Sequence, residues 1–245
     1  MSKQMMHTTV MSYNIQHGAG MDGQLSLQRI AKVIFDSGAE IACLQEVDRF
    51  FGERSDFKDQ AKELARMLGY HYAYGPNLEL IPVEGQADIS QYGNAIISKH
   101  PILRSKNTLL SSFGDEQRGV LHVVIDLEDI QLNVYNTHLG LDAASRMTQI
   151  EELLDLISRS KAPSILMGDF NTEPTSAEIQ FLLDSGLLIN SFHNIQNINT
   201  WPANAPTEII DYIFTSPVVQ HDNQRVIHTQ ASDHLPIVVD VMVKS

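Results

Sequence analysis

Several acids, amides and histidines in this sequence directly follow short apolar runs, where strands of a sheet could bring them together. They are Asn14, Glu46, His138, Asp169, Asn171, Asp233 and His234, and Asp211 is added because it lies inside an apolar run. Rigid scaffolds present catalytic groups at strand ends and in the loops that follow. Oxygen ligands of this kind suit Mg²⁺ or Mn²⁺ better than a structural zinc ion. Histidines beside carboxylates suit proton transfer or the stabilisation of charge on a phosphoryl group.

Most of these residues also have a structural explanation when each is considered by itself. Asn14 fits a turn, and Glu46 fits a solvated strand end. Asp169 and Asn171 bracket a turn before a predicted helix, where Asp and Asn are favoured as caps. The joint occurrence of the set, each member beside an apolar run, is what favours a functional site.

Asp211 is harder to explain as a surface residue. Its neighbours Ile209, Ile210, Ile213 and Phe214 predict that the carboxylate is buried, and a buried carboxylate needs a partner. The sequence contains histidines that could supply one, although a lone histidine is more often structural.

The hydrophobic periodicity predicts strands alternating with helices in the first half of the chain and a strand-rich last stretch. Predicted strands cover residues 10–13, 41–44, 94–98, 119–127, 130–136, 164–167, 209–214 and 235–243, with a hairpin turn at Glu128-Asp129. Predicted helices cover residues 25–34, 61–68, 141–157 and 179–183, and Gly38 and Gly69 end the first two. This order predicts sheets with helices outside, in a single domain over residues 1–245. It leaves open whether there is one mixed sheet or two packed sheets.

The composition narrows the class of protein. Of 245 residues, 43% are hydrophobic and 19% charged, which is typical of a globular protein and excludes disorder and collagen-like repeats. The 30 acidic and 17 basic residues give a net charge of -13. Such a surface repels polyphosphates, so we expect no non-specific binding to nucleic acid or anionic membranes without a basic patch or a bridging metal.

The single cysteine and the apolar segments indicate the cellular compartment of the protein. Cys43 lies in an apolar run, so we expect a buried thiol, and no intrachain disulfide is possible. No segment approaches the roughly 18 apolar residues of a membrane span, and residues 1–7 lack the apolar region of a signal peptide. We therefore expect a cytoplasmic protein without stable membrane insertion.

An ordered series of short motifs resembles the endonuclease/exonuclease/phosphatase superfamily, the metal-dependent phosphoesterases related to DNase I. The motifs are Ser12-Tyr13-Asn14-Ile15, Leu44-Gln45-Glu46-Val47, Tyr92-Gly93-Asn94-Ala95, Asn136-Thr137-His138-Leu139, Gly168-Asp169-Phe170-Asn171, Ile210-Asp211-Tyr212-Ile213-Phe214 and Ser232-Asp233-His234-Leu235-Pro236. Any one tetrapeptide is weak evidence, but the complete series from residue 10 to residue 237 is specific. The resemblance implies an α/β four-layer sandwich, with two mixed β-sheets packed face to face and helices on both outer sides.

The resemblance also implies a metal site and a residue that directs water. Glu46 matches the principal metal ligand, Asn14 the position that contacts the metal or its waters, and Asp233 the acid that completes the metal shell. Asp169 matches the residue that orients or deprotonates the attacking water, and Asn171 matches its partner. The expected cofactor is Mg²⁺ or Mn²⁺.

The same resemblance implies how the phosphate is held. His138 and His234 match the pair that contacts the scissile phosphate, and Asp211 matches the acid that hydrogen-bonds His234. Arg118, in Gln117-Arg118-Gly119, aligns with a position that often contacts phosphate. Asn94 is a further candidate substrate contact, or a support for the site.

Two loops are the candidates for determining which substrate binds. Residues 48–59 resemble those of small bacterial hydrolases of this superfamily. Residues 192–208 include Trp201, which we expect either at the rim of the active site or in a packing role. Many relatives have a basic residue just before the Ile-Asp-Tyr unit, and here Glu208, Ile209 and Ile210 occupy those positions, which weakens the case for a polyanionic substrate.

The leading hypothesis is therefore a Mg²⁺- or Mn²⁺-dependent phosphoesterase acting on a small soluble or headgroup-type phosphoester. The alternatives are a metal-dependent nuclease and a catalytically silent binding module. The net charge and the lack of a Lys/Arg-rich run argue against the nuclease, and the complete set of matched residues argues against the silent module. The sequence leaves the substrate, the number of metal ions and the oligomeric state open.

Overall fold

The computed structural model describes residues 5–82, 85, 87–128, 130–195 and 198–244, which form twelve strands and four α-helices. The strands are β1 (Met5–Asn14), β2 (Ile41–Arg49), β3 (His71–Leu80), β4 (Ser90–Ser98), β5 (Ile102–Leu109), β6 (Gly119–Leu127), β7 (Ile130–His138), β8 (Ser164–Asp169), β9 (Ile189–Asn190), β10 (Asp211–Thr215), β11 (Gln220–Val226) and β12 (Ile237–Lys244). The helices are α1 (Leu27–Ser37), α2 (Gln60–Leu68), α3 (Ala143–Ser158) and α4 (Ala177–Asp184).

The strands form two six-stranded sheets. The first sheet has the order β11-β12-β1-β2-β4-β3, and the second has the order β5-β6-β7-β8-β10-β9. In each sheet one neighbouring pair is parallel, β1 with β2 and β7 with β8, and the other pairs are antiparallel. Both sheets are therefore mixed, as the resemblance predicted.

Three apolar layers hold the sandwich together. Between the sheets lies a core that includes Val10, Ile41, Val123, Val134 and Ile165. Alternate residues of a strand point to opposite faces, so the other faces of the sheets are free to bind helices. The first sheet packs against α1 and α2, and the second packs against α3 and α4. The predicted four-layer sandwich is confirmed, and Cys43 is buried in its central core.

The ends of the helices follow from local chemistry. Ser26 and Asp59 cap α1 and α2 by accepting hydrogen bonds from the backbone N–H groups of Arg29 and Lys62. Gly38 and Gly69, in left-handed conformation, end these helices as predicted. The third helix begins at Ala143, close to the predicted start near Leu141, and the Asp142 side chain forms its N-cap by accepting from the N–H groups of Ala144 and Ser145.

The predicted hairpin is present, since β6 and β7 pair antiparallel with Leu127 opposite Ile130. Asp129 of its turn and residues 196 and 197 of the second candidate loop lie outside the described residues. Within the described parts of the chain, no helix combines the length and the apolar character needed to cross a lipid bilayer.

Candidate active site

Three candidate residues stand side by side on adjacent strands of the second sheet. His138 is the last residue of β7, Asp169 the last of β8 and Asp211 the first of β10. The β7–β8 register pairs His138 with Asp169, and the β8–β10 register pairs Asp211 with Asp169. Residues paired across strands project from the same face, so the register alone brings one histidine and two carboxylates together.

The strands β7 and β8 approach each other closely just before His138 and Asp169. Gly168 precedes Asp169, and a Cβ atom at Gly168 would lie 2.0 Å from the carbonyl oxygen of Thr137. No side chain fits there without separating β7 from β8. Glycine at this position therefore allows His138 and Asp169 to be neighbours.

Glu46 reaches the site from within a strand, whereas the sequence pattern predicted a strand end. It lies inside β2, at a shift in the β2–β4 register between Leu44 and Val47. Its φ of 57° is in the left-handed region, which is uncommon for a residue with a side chain and often marks a functional site. The apolar run before Glu46 predicted the approach of the strand but not this bulge.

Two further placements differ from the sequence prediction. Asp211 begins β10 and does not lie inside a strand, because the chain enters the sheet only after Ile210. Asp233 and His234 precede β12 in a bend and do not follow a strand. The Ser232 hydroxyl donates to the carbonyl oxygen of Asn14 at 2.8 Å, which holds this bend against the end of β1.

The amide of Asn14 joins the two sheets at the site. Its Nδ2 donates to Glu46 Oε1 at 2.9 Å and to Asp169 Oδ2 at 3.0 Å, while its Oδ1 accepts from the backbone N–H of Gln16 at 3.1 Å. Glu46 belongs to the first sheet and Asp169 to the second. Asn14 therefore sets the distance between a candidate metal ligand and the candidate water-directing acid.

His234 is held in its charged form by two carboxylates. Its Nδ1 lies 2.9 Å from Asp211 Oδ2, the predicted hydrogen bond, and its Nε2 lies 3.6 Å from Asp169 Oδ2. Burial lowers the pKa of His234, but the charges of Asp211 and Asp169 outweigh burial and raise it to about 10. The ring is therefore an imidazolium at neutral pH.

His138 approaches the same carboxylate from the neighbouring strand. Its Nε2 lies 3.6 Å from Asp169 Oδ2. Burial, followed by the positive charges of Arg118 and His234, holds the pKa of His138 well below its usual value. This ring is therefore a neutral imidazole at neutral pH.

Asp169 is at the centre of the arrangement and is almost completely buried. Burial raises the pKa of its carboxyl group, although His234 and the hydrogen bond from Asn14 oppose this. The backbone N–H of Asn171 donates to Asp169 Oδ1 at 2.9 Å, and the Asn171 amide donates to the carbonyl oxygen of Leu139 at 2.9 Å. Asn171 therefore fixes the turn that orients Asp169.

The donor set around Glu46 fits a hard divalent cation. Glu46 and Asp233 offer carboxylate oxygens, the ligands that Mg²⁺ and Mn²⁺ prefer, and Asn14 orients Glu46 through its Nδ2. Burial raises the pKa of Glu46, and the charge of Asp233 raises it further. A cation held by Glu46 and Asp233 would offset both effects, because it would stabilise the two carboxylates in their charged form.

A second group of potential ligands, Asp169, Asp211 and His234, has donor atoms within 4.8 Å of one another. One oxygen of this group, Asp211 Oδ1, is buried and has no hydrogen-bond partner among the residues that the structure describes. Two members of this group already bond each other, however, since His234 Nδ1 lies 2.9 Å from Asp211 Oδ2. We therefore favour Glu46 and Asp233, with Asn14 beside them, as the residues that would hold the cation.

A cleft of about 440 Å³ opens onto these groups. Its lining includes most of the candidate residues, namely Glu46, Arg118, His138, Asp169, Asn171, Trp201, Asp233 and His234. Asn14 and Asp211 are buried behind this surface and contact lining residues. The structure thus brings together ten of the eleven residues singled out from the sequence.

Asn94 is the exception, because it does not line the cleft. Its side chain is buried and its Nδ2 donates to the carbonyl oxygen of Gly119 at 3.1 Å. Gly119 follows Arg118 in the chain, so Asn94 supports the position of Arg118. This agrees with the supporting role considered for Asn94 and not with contact to a substrate in this cleft.

Several lining residues were not singled out as site residues from the sequence. They are Tyr92, Glu116, Leu141, Glu208 and Ile210. Glu116 pairs with Arg118, since its Oε1 lies 2.8 Å from Arg118 Nη1. The sequence carried no clear signal for this pairing, because Glu116 lies in a bend before β6 and not in a strand.

Comparisons with known proteins agree with the fold. The model of the endonuclease/exonuclease/phosphatase family matches residues 11–234. The protein YbhP of Escherichia coli K12 is 27% identical over 218 residues, which are 84% of this chain and 83% of YbhP.

Two solved structures are similar in fold. An endonuclease/exonuclease/phosphatase structure from Beutenbergia cavernae has a TM-score of 0.83 and 24% identity, and covers 97% of this chain and 72% of that chain. The mannosyl-6-phosphatase Bt3783 of Bacteroides thetaiotaomicron has a TM-score of 0.73 and 21% identity, and covers 96% of this chain and 99% of that chain. With a family match over residues 11–234, this chain belongs to the endonuclease/exonuclease/phosphatase family.

Proposed function

We propose that this protein is a divalent-cation-dependent phosphoesterase that hydrolyses a small phosphoester by attack of water. One observation carries the proposal. Asp169 Oδ2 lies 3.6 Å from the Nε2 atoms of both His138 and His234 and 3.0 Å from Asn14 Nδ2. A buried carboxylate between a neutral and a charged imidazole can accept a proton from water, and both rings can bind phosphoryl oxygens.

The metal ligands in this proposal are Glu46 and Asp233, with Asn14 beside them. A Mg²⁺ or Mn²⁺ ion held there would act as a Lewis acid and neutralise negative charge on the phosphoryl group. Asn14 also bonds Asp169, so the residues that hold the ion and the residue that orients water share one amide.

Asp169 is the candidate base because burial raises the pKa of its carboxyl group and so makes the carboxylate a better proton acceptor. Asn171 keeps its orientation through the backbone hydrogen bond. The attacking oxygen then forms the new bond to phosphorus while the ester oxygen leaves, in line with it. The lone cysteine, Cys43, is buried in the core and is no nucleophile here.

The two histidines have different tasks in this scheme. The imidazolium of His234 stabilises negative charge on a phosphoryl oxygen, and Asp211 keeps it protonated. The neutral ring of His138 donates a hydrogen bond without adding charge. Arg118, which also lines the cleft, supplies a guanidinium for a further phosphoryl oxygen.

The size and charge of the cleft favour a small substrate over a nucleic acid. Its volume of about 440 Å³ suits one or two small groups besides the phosphoryl. The rim carries Glu116 and Glu208, and these carboxylates repel the successive phosphates of a polynucleotide. The nuclease therefore stays the second candidate.

The proposal is tested by screening purified protein with Mg²⁺ or Mn²⁺. The substrates are bis-p-nitrophenyl phosphate, p-nitrophenyl phosphate, phosphocholine lipids and plasmid DNA. We expect hydrolysis of at least one small ester and its loss in Asp169→Asn, which keeps the shape of the side chain but removes the base. Nicking of plasmid at nanomolar enzyme without activity on small esters would instead establish the nuclease. Activity retained in Asp169→Asn would refute the mechanism.

A further inference from the structure

The positive groups of the cleft are already paired with carboxylates. Among the described residues that line it, the charged nitrogens belong to Arg118 and His234, since His138 is neutral. His234 is paired with Asp211 at 2.9 Å, and Arg118 is paired with Glu116 at 2.8 Å. The described residues that line the cleft therefore offer a substrate no uncompensated positive charge.

The two pairs differ in where the carboxylate lies. Asp211 is buried behind His234, away from the cleft lining. Glu116 lines the cleft, and its side chain is 45% exposed, against 7% for that of Arg118. A phosphoryl group that binds Arg118 must therefore approach the negative charge of Glu116 as well.

Arg118 does not use all of its donors within the protein. Its Nη1 is used by Glu116, but its Nε is buried and has no hydrogen-bond partner within the described parts of the chain. A buried donor without a partner is costly. The guanidinium is thus held in one orientation by Glu116 while its hydrogen-bonding capacity is incompletely used.

We propose that Glu116 is a specificity-determining residue that disfavours the second negative charge of a phosphomonoester, so that the cleft selects singly charged phosphodiesters. The inference rests on the proposed phosphoesterase function and names its substrate class. A diester group carries one negative charge, which Arg118 and the cation can balance. A monoester at pH 8 carries two, because its second pKa is near 6, and the extra charge lies beside Glu116.

The test uses two substrates with the same leaving group, p-nitrophenyl phosphate and methyl p-nitrophenyl phosphate, with Mn²⁺ at pH 8. In Glu116→Gln the amide oxygen can still accept from Arg118 Nη1, so orientation is kept and only charge is lost. We expect kcat/KM for the monoester to rise about fivefold relative to the diester, the size expected for one unit charge a few ångströms away in largely aqueous surroundings. The change should lie in KM, with kcat within about twofold, because the charge acts on bound substrate and transition state alike.

Two control variants separate this effect from general electrostatics. Glu151→Gln removes one charge from an exposed position on α3, away from the cleft, and should leave the substrate ratio unchanged. Glu208→Gln removes a cleft carboxylate that forms no ion pair with Arg118, and should shift the ratio less than Glu116→Gln. Equal shifts in Glu116→Gln and Glu208→Gln would overturn the assignment to Glu116, and so would an unchanged ratio in Glu116→Gln.

A binding measurement keeps the inference testable if neither ester is hydrolysed. Calorimetric titration with inorganic phosphate at pH 8, with Mg²⁺ present, should show about fivefold tighter binding to Glu116→Gln than to the wild type or to Glu151→Gln. Equal phosphate affinity in all three proteins would refute the role of Glu116. Tighter phosphate binding without turnover of any ester would support the role of Glu116 and refute the proposed activity.

Discussion

His138 and His234 each place Nε2 3.6 Å from the same oxygen of Asp169, yet their ionisation is opposite. Burial and the nearby positive charges lower the pKa of His138, whereas Asp211 and Asp169 overcome burial and raise the pKa of His234 to about 10. The difference lies behind the rings: Asp211 touches His234 and not His138. The contact with Asp211 thus gives His234 a protonation state different from that of His138. Enzymes commonly use such differences in environment to set apart the pKa values of paired acid and base groups.

The Asp211→Asn variant should lower the pKa of His234 towards that of His138. Without the Asp211 carboxylate the charged form of His234 is less stable. The imidazolium therefore loses its proton at a lower pH than in the wild type. We expect the alkaline limb of the pH–rate profile to move to lower pH and kcat/KM at pH 8 to fall about 10- to 100-fold. NMR titration of the imidazole should show the same shift, while Asp184→Asn, an exposed control on α4, should behave like the wild type. An unchanged alkaline limb would contradict the pairing as the source of the charge.

The Glu46→Gln variant should lose the cation but keep the fold. Calorimetric titration should show Mn²⁺ affinity reduced at least tenfold, by the loss of a carboxylate ligand, and turnover should disappear, as it should in wild type treated with EDTA. Because burial raises the pKa of Glu46, its replacement by a neutral amide should leave the free energy of unfolding without metal unchanged or higher. Full Mn²⁺-dependent turnover in this variant would show that the ion is held elsewhere.

Duplex DNA should bind weakly or not at all at about 0.15 M salt. DNA binding requires several Lys or Arg side chains on one face, and the affinity then falls steeply with salt. Arg49, Arg54 and Lys58 are each within 4.0 Å of a carboxylate, so their fields largely cancel. Fluorescence anisotropy with a labelled duplex over a range of salt concentrations measures this directly. Tight, salt-dependent binding would favour the nuclease.

The Gly168→Ala variant should damage both stability and activity. The added Cβ would lie 2.0 Å from the carbonyl oxygen of Thr137, a backbone atom that can move only with its strand. We expect the free energy of unfolding to fall by about 2–3 kcal/mol, and kcat to fall because His138 and Asp169 separate. Gly52→Ala, whose added Cβ would meet no atom of the described residues within 4 Å, is the matched control in urea denaturation. Equal stability of the two variants would show that the strands separate without cost.

The sequence predicted the interior of each sheet better than its edges. The strands that the hydrophobic pattern did not predict are β3, β5, β9 and β11, and these are the four edge strands of the two sheets. An edge strand is covered on fewer sides and needs less apolar sequence, as the polar β11 (Gln220–Val226) illustrates. Central strands such as β2 and β8 are buried on both faces and read as apolar runs.

The site was predictable where a motif ends a strand and less so where the backbone departs from regular geometry. His138 and Asp169 lie at strand ends as expected. The bulge at Glu46 and the bend that carries Asp233 depend on contacts with other segments, such as Ser232 with Asn14, which are far away in sequence. Glu116 was not predicted from the sequence, because its place in the site depends on its pairing with Arg118, which the sequence pattern does not reveal.

The way the two sheets divide the chain has a consequence for biosynthesis. The second sheet uses one continuous stretch, from β5 to β10, whereas the first needs β1 to pair with β12, from Met5 with Lys244 to Ser12 with Ile237. Pairings so distant in sequence form late, since the intervening chain must be ordered first. Asp233 and His234 lie just before β12. A chain still emerging from the ribosome therefore cannot complete the site until its last strand, which follows Asp233 and His234, has been synthesised.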